Sequence, residues 1–212
     1  MKKFITVAGN IGVGKSTLVE RLCARLGWEP FFEGVVDNPY LADFYADMRA
    51  WSFHSQIFFL GRRLKDLRRL MDFPRTVVQD RSVYEDAEIF AKNLYRQGFI
   101  TERDWASYHE LYQALAALLP PPDLIVYLQA TVPTLLHRIA LRGREYEKSI
   151  APDYLEQLNA LYEEWIGGFD LCPVLTVPAD RLDYVMNGNH LDLIIEKIQD
   201  KLRGEQMVLF EE

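Results

Sequence analysis

Short apolar runs alternate along the chain with longer stretches in which apolar residues return every three or four positions. Residues 4–8 (Phe-Ile-Thr-Val-Ala) read as a buried first strand, and 16–26 carry helical spacing that stops at Gly27. Residues 28–33 predict a second short strand, closed by Gly34 and the Asp37-Asn38-Pro39 turn signal. From Tyr40 to about Met71 aromatic and aliphatic positions recur at helical spacing, which predicts two helices. Further strands are expected at 76–80, 124–128 and 174–177, and helices at about 84–96, 102–118, 132–142, 152–166 and 190–203. This β-α alternation, with strands that are nearly continuous apolar runs, predicts an α/β fold: a five-stranded parallel sheet with helices on both faces. No long Gly/Ser linker or internal repeat divides the chain, so one domain over 1–212 is expected, with a tail at 204–212 that frays or contacts a neighbour.

Composition narrows the partners. With 49% hydrophobic and 13% aromatic positions in 212 residues, the chain can fill a proper core. Lys and Arg total 24 against 31 Asp and Glu, a net charge of −7, so a nucleic-acid polymer is not an expected partner. Cys23 and Cys172 cannot form a disulfide framework, which points to a reduced, cytoplasmic compartment. Residues 114–122 form the longest uncharged stretch near the middle, and it ends in three prolines, far short of a membrane span. Lys2-Lys3 before the first strand imitates a signal peptide, but the segment turns directly into glycines and Lys15 with no cleavage region.

Gly9-Asn10-Ile11-Gly12-Val13-Gly14-Lys15-Ser16 fits G-x-x-x-x-G-K-[ST] without a mismatch, after a predicted strand and opening a predicted helix. Glycines let successive N–H groups turn toward phosphate oxygens, and the helix N-terminus favours the anion. The expectation is a P-loop NTPase fold binding ATP or another nucleoside triphosphate, with Lys15 on the β and γ phosphates and Ser16 on Mg²⁺. The bland reading is a Gly-rich turn with a surface lysine. The loop alone does not choose among NTPase classes, but N-K-x-D, T-K-x-D and L-S-G-G-Q are absent, and so short a chain favours phosphate transfer to something small.

Asp80 ends the third predicted strand and is followed by Arg81-Ser82; Glu33 ends the second. A carboxylate at the carboxyl edge of a parallel strand faces the crevice where ligands bind. Asp80 is a candidate base or Mg²⁺ organiser, or else merely starts the next helix as a cap. Two carboxylates near a triphosphate need cations around them, so Mg²⁺ (held by Ser16, Glu33 and Asp80), Lys15 and Arg81 are expected together.

Several segments resemble the deoxyribonucleoside kinases, and look nearest to the bacterial deoxyadenosine/deoxycytidine kinases. They are Val7-Ala-Gly-Asn-Ile-Gly-Val-Gly-Lys-Ser-Thr17, Asp37-Asn-Pro-Tyr-Leu41, Trp51-Ser-Phe-His-Ser-Gln56, Gln79-Asp-Arg-Ser-Val-Tyr-Glu-Asp86 and Leu141-Arg-Gly-Arg144. The likeness runs over about residues 4–200. It implies transfer of the ATP γ-phosphate to the 5′-hydroxyl of a deoxyribonucleoside in nucleotide salvage. Asp80 then resembles the family's base, Arg81 its phosphate-facing arginine and Glu33 the acid near the 5′-hydroxyl and metal, although Gly34 stands where many relatives have proline. Tyr45 and Glu147 match the positions that hold the 3′-hydroxyl. Gln56, Arg63 and Asp86 match those that read the base, and Phe53 and Phe90 those that stack on it. The triphosphate-side candidates are Gly9 to Thr17 with Arg138, Arg142 and Asp180. Arg138, Arg142 and Arg144 look like the family's Arg-rich lid, over about 142–150, with Arg142 and Arg144 among the catalytic cations. A homodimer through helices is also implied, with 40–70 and 102–118 as candidate faces.

Hydrogen-bond chemistry agrees. The Gln56 amide can donate once and accept once, matching the acceptor-beside-amino edge of adenine or cytosine. Asp86, ionised and held by Arg63, accepts only, and so disfavours the keto groups of thymine and guanine. Plainer readings are an exposed Gln56, a capping Asp86, core aromatics at Phe53 and Phe90, and three arginines placed near a helix C-terminus. Tyr162 and Trp165 read as core, and the four histidines show no metal-ligand spacing. Two competitors stand beside the kinase reading: a thymidylate-kinase-like monophosphate kinase and a non-catalytic P-loop regulator.

Overall fold

The computed structural model describes residues 2–32, 38–147 and 150–204. Five parallel strands form one sheet in the order β2-β3-β1-β4-β5. They are β1 (Phe4–Gly9), β2 (Glu29–Phe31), β3 (Val77–Asp80), β4 (Leu124–Gln129) and β5 (Val174–Pro178). The three inner strands are almost wholly buried, as their unbroken apolar sequence requires. β2 is shorter than the predicted 28–33 because it lies at an edge and pairs only with β3, from Glu29 opposite Val77 to Phe31 opposite Gln79. Pro30, which has no N–H to give a ladder, suits that edge.

α1 (Lys15–Leu26) packs on β1, β2 and β3 and touches α9 (Gly188–Leu202), which lies on β4 and β5. The predicted helical region 40–71 is two helices, α2 (Leu41–Ala46) and α3 (Met48–Asp72), divided at Asp47, whose side chain accepts from Ala50 N and caps α3. A helical stretch begins at Ser82, runs through α4 (Val83–Glu85), widens into a π-helical turn at Asp86–Ala91, and continues as α5 (Lys92–Arg96). α6 (Glu102–Leu118), α7 (Val132–Arg142) and α8 (Pro152–Gly168) complete the architecture. α3, α6 and α8 all pack against the π-helical turn, so this irregular segment sits at the centre of a helical layer.

The main core joins β1, β4 and β5 with α1, α8 and α9 through Ile5, Val7, Leu18, Leu22, Val126, Leu158 and Ile194. A second cluster around Leu60, Val83, Ala87 and Tyr108 ties α3 to α4 and α6, and a third joins Leu41 and Phe44 to Leu94 and Ile100. Among the described residues no helix is long and apolar enough to cross a membrane.

Both cysteines are free thiols, and burial pushes Cys23 up to about 12 and Cys172 up to about 11. A raised thiol value leaves almost no reactive thiolate near neutrality. Native protein at pH 8 should therefore be alkylated at Cys23 more than ~100-fold more slowly than unfolded protein, read by mass spectrometry after an iodoacetamide pulse.

Candidate active site

Parallel register sets Val7 of β1 beside Asp80 of β3, so the phosphate loop and the acidic strand end emerge at one edge. The loop is held from several sides. Gly14 caps α1 in the left-handed region (φ 106), and a Cβ at Gly12 (φ 82) would lie 2.7 Å from an Ile139 side-chain carbon and 2.9 Å from the Leu135 carbonyl oxygen. Only glycine fits there. Asn10 Nδ2 donates to Leu155 O (2.9 Å) and Asn159 Oδ1 (2.8 Å), tying the loop to α8. Arg138 donates to Val13 O and to Ala179 O, both at 2.7 Å, and Tyr184 Oη donates to Gly14 O at 3.1 Å. The buried Lys15 ammonium donates to Gly9 O (2.8 Å) and Asn10 O (3.0 Å).

Two recesses meet at this loop. One, of about 270 Å³, is lined by Lys15, Ser16, Asp80, Arg81 and the aromatic rings of Phe44, Tyr45, Phe59 and Phe90, with Gln56, Asp86 and Tyr154 also on its wall. The other, of about 650 Å³, lies across the loop against Thr17, His137, Arg138, Tyr184 and Val185. Gly12, Lys15, Ser16, Arg142 and Arg144 line both. The arrangement suits two ligands meeting end to end at a cluster of cations.

In the smaller recess, Arg63 grips Asp86 through Nε (2.7 Å to Oδ2) and Nη2 (3.4 Å to Oδ1), with both side chains buried. The π-helical turn starts at Asp86 and includes Phe90, so it aims a carboxylate and a ring into one cavity; such turns are frequent at functional sites. Gln56 Oε1 is buried without a hydrogen-bond partner, an acceptor left for something else. Arg81 has φ 66, the only positive φ of a non-glycine among the described residues, and its guanidinium carbon lies 4.0 Å from the centre of the Phe90 ring. That backbone conformation costs of order 1–3 kcal/mol, and such strain clusters where geometry is functional. Burial pushes the Tyr154 hydroxyl up to about 12, keeping it neutral.

Ser16 Oγ donates to Asp80 Oδ2 at 2.5 Å, while Asp80 Oδ1 is buried without a partner. This donor set fits Mg²⁺, which takes one or two protein oxygens and completes its shell with water and phosphate. Glu33, expected beside Asp80, lies outside the described residues, as do positions 148 and 149 of the expected lid.

Other expected residues are engaged by partners within the protein. Glu147 is buried and accepts from Arg142 Nη2 (2.6 Å) and Arg144 Nη1 (3.5 Å), so in this structure it holds the two arginines over the junction of the recesses. Arg138 spends its donors on backbone carbonyls and braces the loop. Asp180 accepts from the amide (3.0 Å) and hydroxyl (3.1 Å) of Thr131 at the start of α7 and lines neither recess. Phe53 packs with Ile57 toward α6, while Ser55, Gln56 and Phe59 share the cavity-facing side of α3. Those two sets differ by about a third of a helical turn, which spacing alone does not orient.

The sequence reading missed Glu85. This side chain is fully buried; Oε1 accepts from Gly9 N (3.1 Å) and Tyr162 Oη (2.8 Å), and Oε2 from Ser82 N (2.9 Å). Burial pushes its carboxyl above the usual range, while Arg81, Lys15 and the Ser82 and Gly9 amides pull it back. Its visible signal is Ser82-x-x-Glu85, a capping box. The hydroxyl of Tyr162, read as core, also lies 2.7 Å from Gly9 O, so its one proton is shared between that carbonyl and Glu85 Oε1.

A family model described as deoxynucleoside kinase matches residues 5–203. The chain belongs to the deoxynucleoside kinase family. Its relatives include a Bacillus subtilis deoxyadenosine/deoxycytidine kinase, 40% identical over 95% of this chain and 94% of that protein. A Bacillus subtilis deoxyguanosine kinase is 36% identical over 93% of this chain and 96% of that protein. Among solved structures, the deoxyadenosine kinase from M. mycoides with bound dATP superposes with a TM-score of 0.82 at 32% identity, covering 93% of this chain and 99% of that one. The fold is accordingly the P-loop α/β architecture that the strand pattern and loop motif predicted.

In this deoxynucleoside kinase Arg138 supports the loop through its carbonyls. Arg138→Ala should weaken MgATP binding ~10–100-fold, the scale of losing charged hydrogen bonds. Arg138→Lys should restore little, because one ammonium cannot span both carbonyls. Calorimetric titration of each variant with a non-hydrolysable ATP analogue checks this.

Proposed function

We propose that this deoxynucleoside kinase passes the γ-phosphoryl group of MgATP to the 5′-hydroxyl of deoxyadenosine or deoxycytidine, with deoxyguanosine a weaker acceptor. The observation that carries the base preference is the floor of the smaller recess. There Asp86 is clamped as an acceptor by Arg63, beside the unpartnered Oε1 of Gln56. An exocyclic amino group next to a ring acceptor satisfies both side chains. A keto oxygen would face the carboxylate with no proton between the two acceptors, a mismatch that buried polar sites punish strongly.

On this reading the nucleoside lies in the smaller recess, its base near Gln56, Asp86 and Phe90 and its sugar near Tyr45 and Glu147. Asp80 accepts the 5′-hydroxyl proton. The triphosphate follows Gly9 to Thr17, and Lys15 leaves the loop carbonyls for phosphate oxygens. Ser16, Asp80 and Glu33 would hold Mg²⁺, which neutralises phosphate charge when bound. Arg81, Arg142 and Arg144 face the transferring group from the acceptor side and from a lid spanning 142–150. Phosphoryl transfer has a loose transition state, so positioning and charge neutralisation supply most of the rate. The functional unit is one kinase domain in a cytoplasmic homodimer, for which the exposed Leu64 and Met71 of α3 and Leu111 and Leu118 of α6 are candidate contacts.

ADP release with MgATP, measured across deoxynucleosides and their monophosphates, should be fastest with deoxyadenosine and deoxycytidine and should vanish in EDTA. Response to monophosphates alone would replace this reading with a monophosphate kinase; ATP binding with no acceptor-dependent release would leave only a regulator. Asp80→Asn should lower kcat ~100-fold or more while ATP affinity stays within ~3-fold, as for loss of a general base. Turnover like wild type in that variant would remove Asp80 as the base.

A further inference from the structure

Of the buried ionisable groups, Glu85 has no part in the mechanism above. It is fully buried beside the phosphate loop, where an unused carboxylate would be a liability. An ordinary helix cap explains only half of what it does. As the third residue of α4 it reaches back through Oε2 to Ser82 N, but Oε1 crosses to Gly9 N at the end of β1.

We propose that Glu85 is a positioning residue whose carboxylate ties the opening of the phosphate loop to the turn carrying Arg81, and so aligns phosphate donor and acceptor. The proposal rests on the donor and acceptor assignment given above. On one side, Gly9 is the residue whose carbonyl accepts from Lys15 Nζ (2.8 Å), so fixing its amide fixes the start of the loop. On the other side, Arg81 stands in a left-handed conformation that survives only if its neighbours over-determine it. Arg81 N donates to Val7 O (3.1 Å), and the next amide, Ser82 N, donates to Glu85 Oε2 (2.9 Å). One carboxylate therefore spans two backbone segments that come from different strands, and Tyr162 of α8 braces it at 2.8 Å. A glutamine side chain keeps the shape but has one oxygen; its amide NH₂ would meet an N–H donor on one side, so one of the two ties is lost.

Steady-state kinetics and thermal melting of wild type, Glu85→Gln and Tyr162→Phe test this, with ADP release followed with and without deoxynucleoside. In Glu85→Gln, kcat for transfer should fall ~30–100-fold, the scale of a misplaced reacting group, with both KM values within ~3-fold. Nucleoside-independent ADP release should fall less, so futile hydrolysis per transfer rises. Tyr162→Phe should move the same way by ~3–10-fold and decides the matter if Glu85→Gln does not fold. Unchanged kcat, or equal loss of both ADP-release rates in step with lost folded protein, would reduce Glu85 to a structural cap. Failure of wild type to phosphorylate any deoxynucleoside would instead overturn the functional reading.

Discussion

Parallel pairing of β1 with β3 is the constraint on which the rest depends. Val7 stands opposite Asp80, and Arg81 N continues the ladder to Val7 O. A slip of one residue would turn Asp80 to the other face of the sheet. In the observed register the loop amides, Ser16 and Asp80 leave the sheet at the same edge, and the Ser16–Asp80 hydrogen bond joins the two sides. The apolar burial of Ile5, Val7, Val77 and Val78 holds that register, so the core and the chemistry are one problem.

An acidic chain sets several cations at this edge, and each is held by a partner. Lys15 lies on loop carbonyls, Arg142 and Arg144 on Glu147, and Arg81 over Phe90. Arg63 is different, being locked on Asp86, whose side chain lines the smaller recess. Buried charges are tolerable only when paired, and pairing keeps each group pointed at the cavity. The same physics explains why the wall of the smaller recess mixes carboxylates and arginines without disrupting the fold.

Much of the fold was legible along the chain. Helices α6 and α7 occupy the ranges their apolar spacing predicts, 102–118 and 132–142, because amphipathic periodicity is a local property. Gly9 to Ser16 announced the loop because its backbone demands are met within eight positions. Spacing failed where the outcome depends on which way a helix faces. Phe53 and Phe59 are equally apolar and both half-buried, but packing of α3 turns the first against the α6 cluster and leaves the second on the cavity wall. Asp180 and Arg138 kept their neighbourhood, yet one caps α7 and the other braces carbonyls.

Sequence by itself determined the strands, the helices, the phosphate loop and the residue types able to handle a phosphate and a base, since each is written within a few consecutive positions. Tertiary structure alone decided the strand order, the approach of Glu85 to Gly9 across 76 positions, and the clasp of Arg63 on Asp86 across 23. Those contacts join segments far apart in the chain, and a side chain's partner there is chosen by the packing of whole elements rather than by its neighbours in sequence.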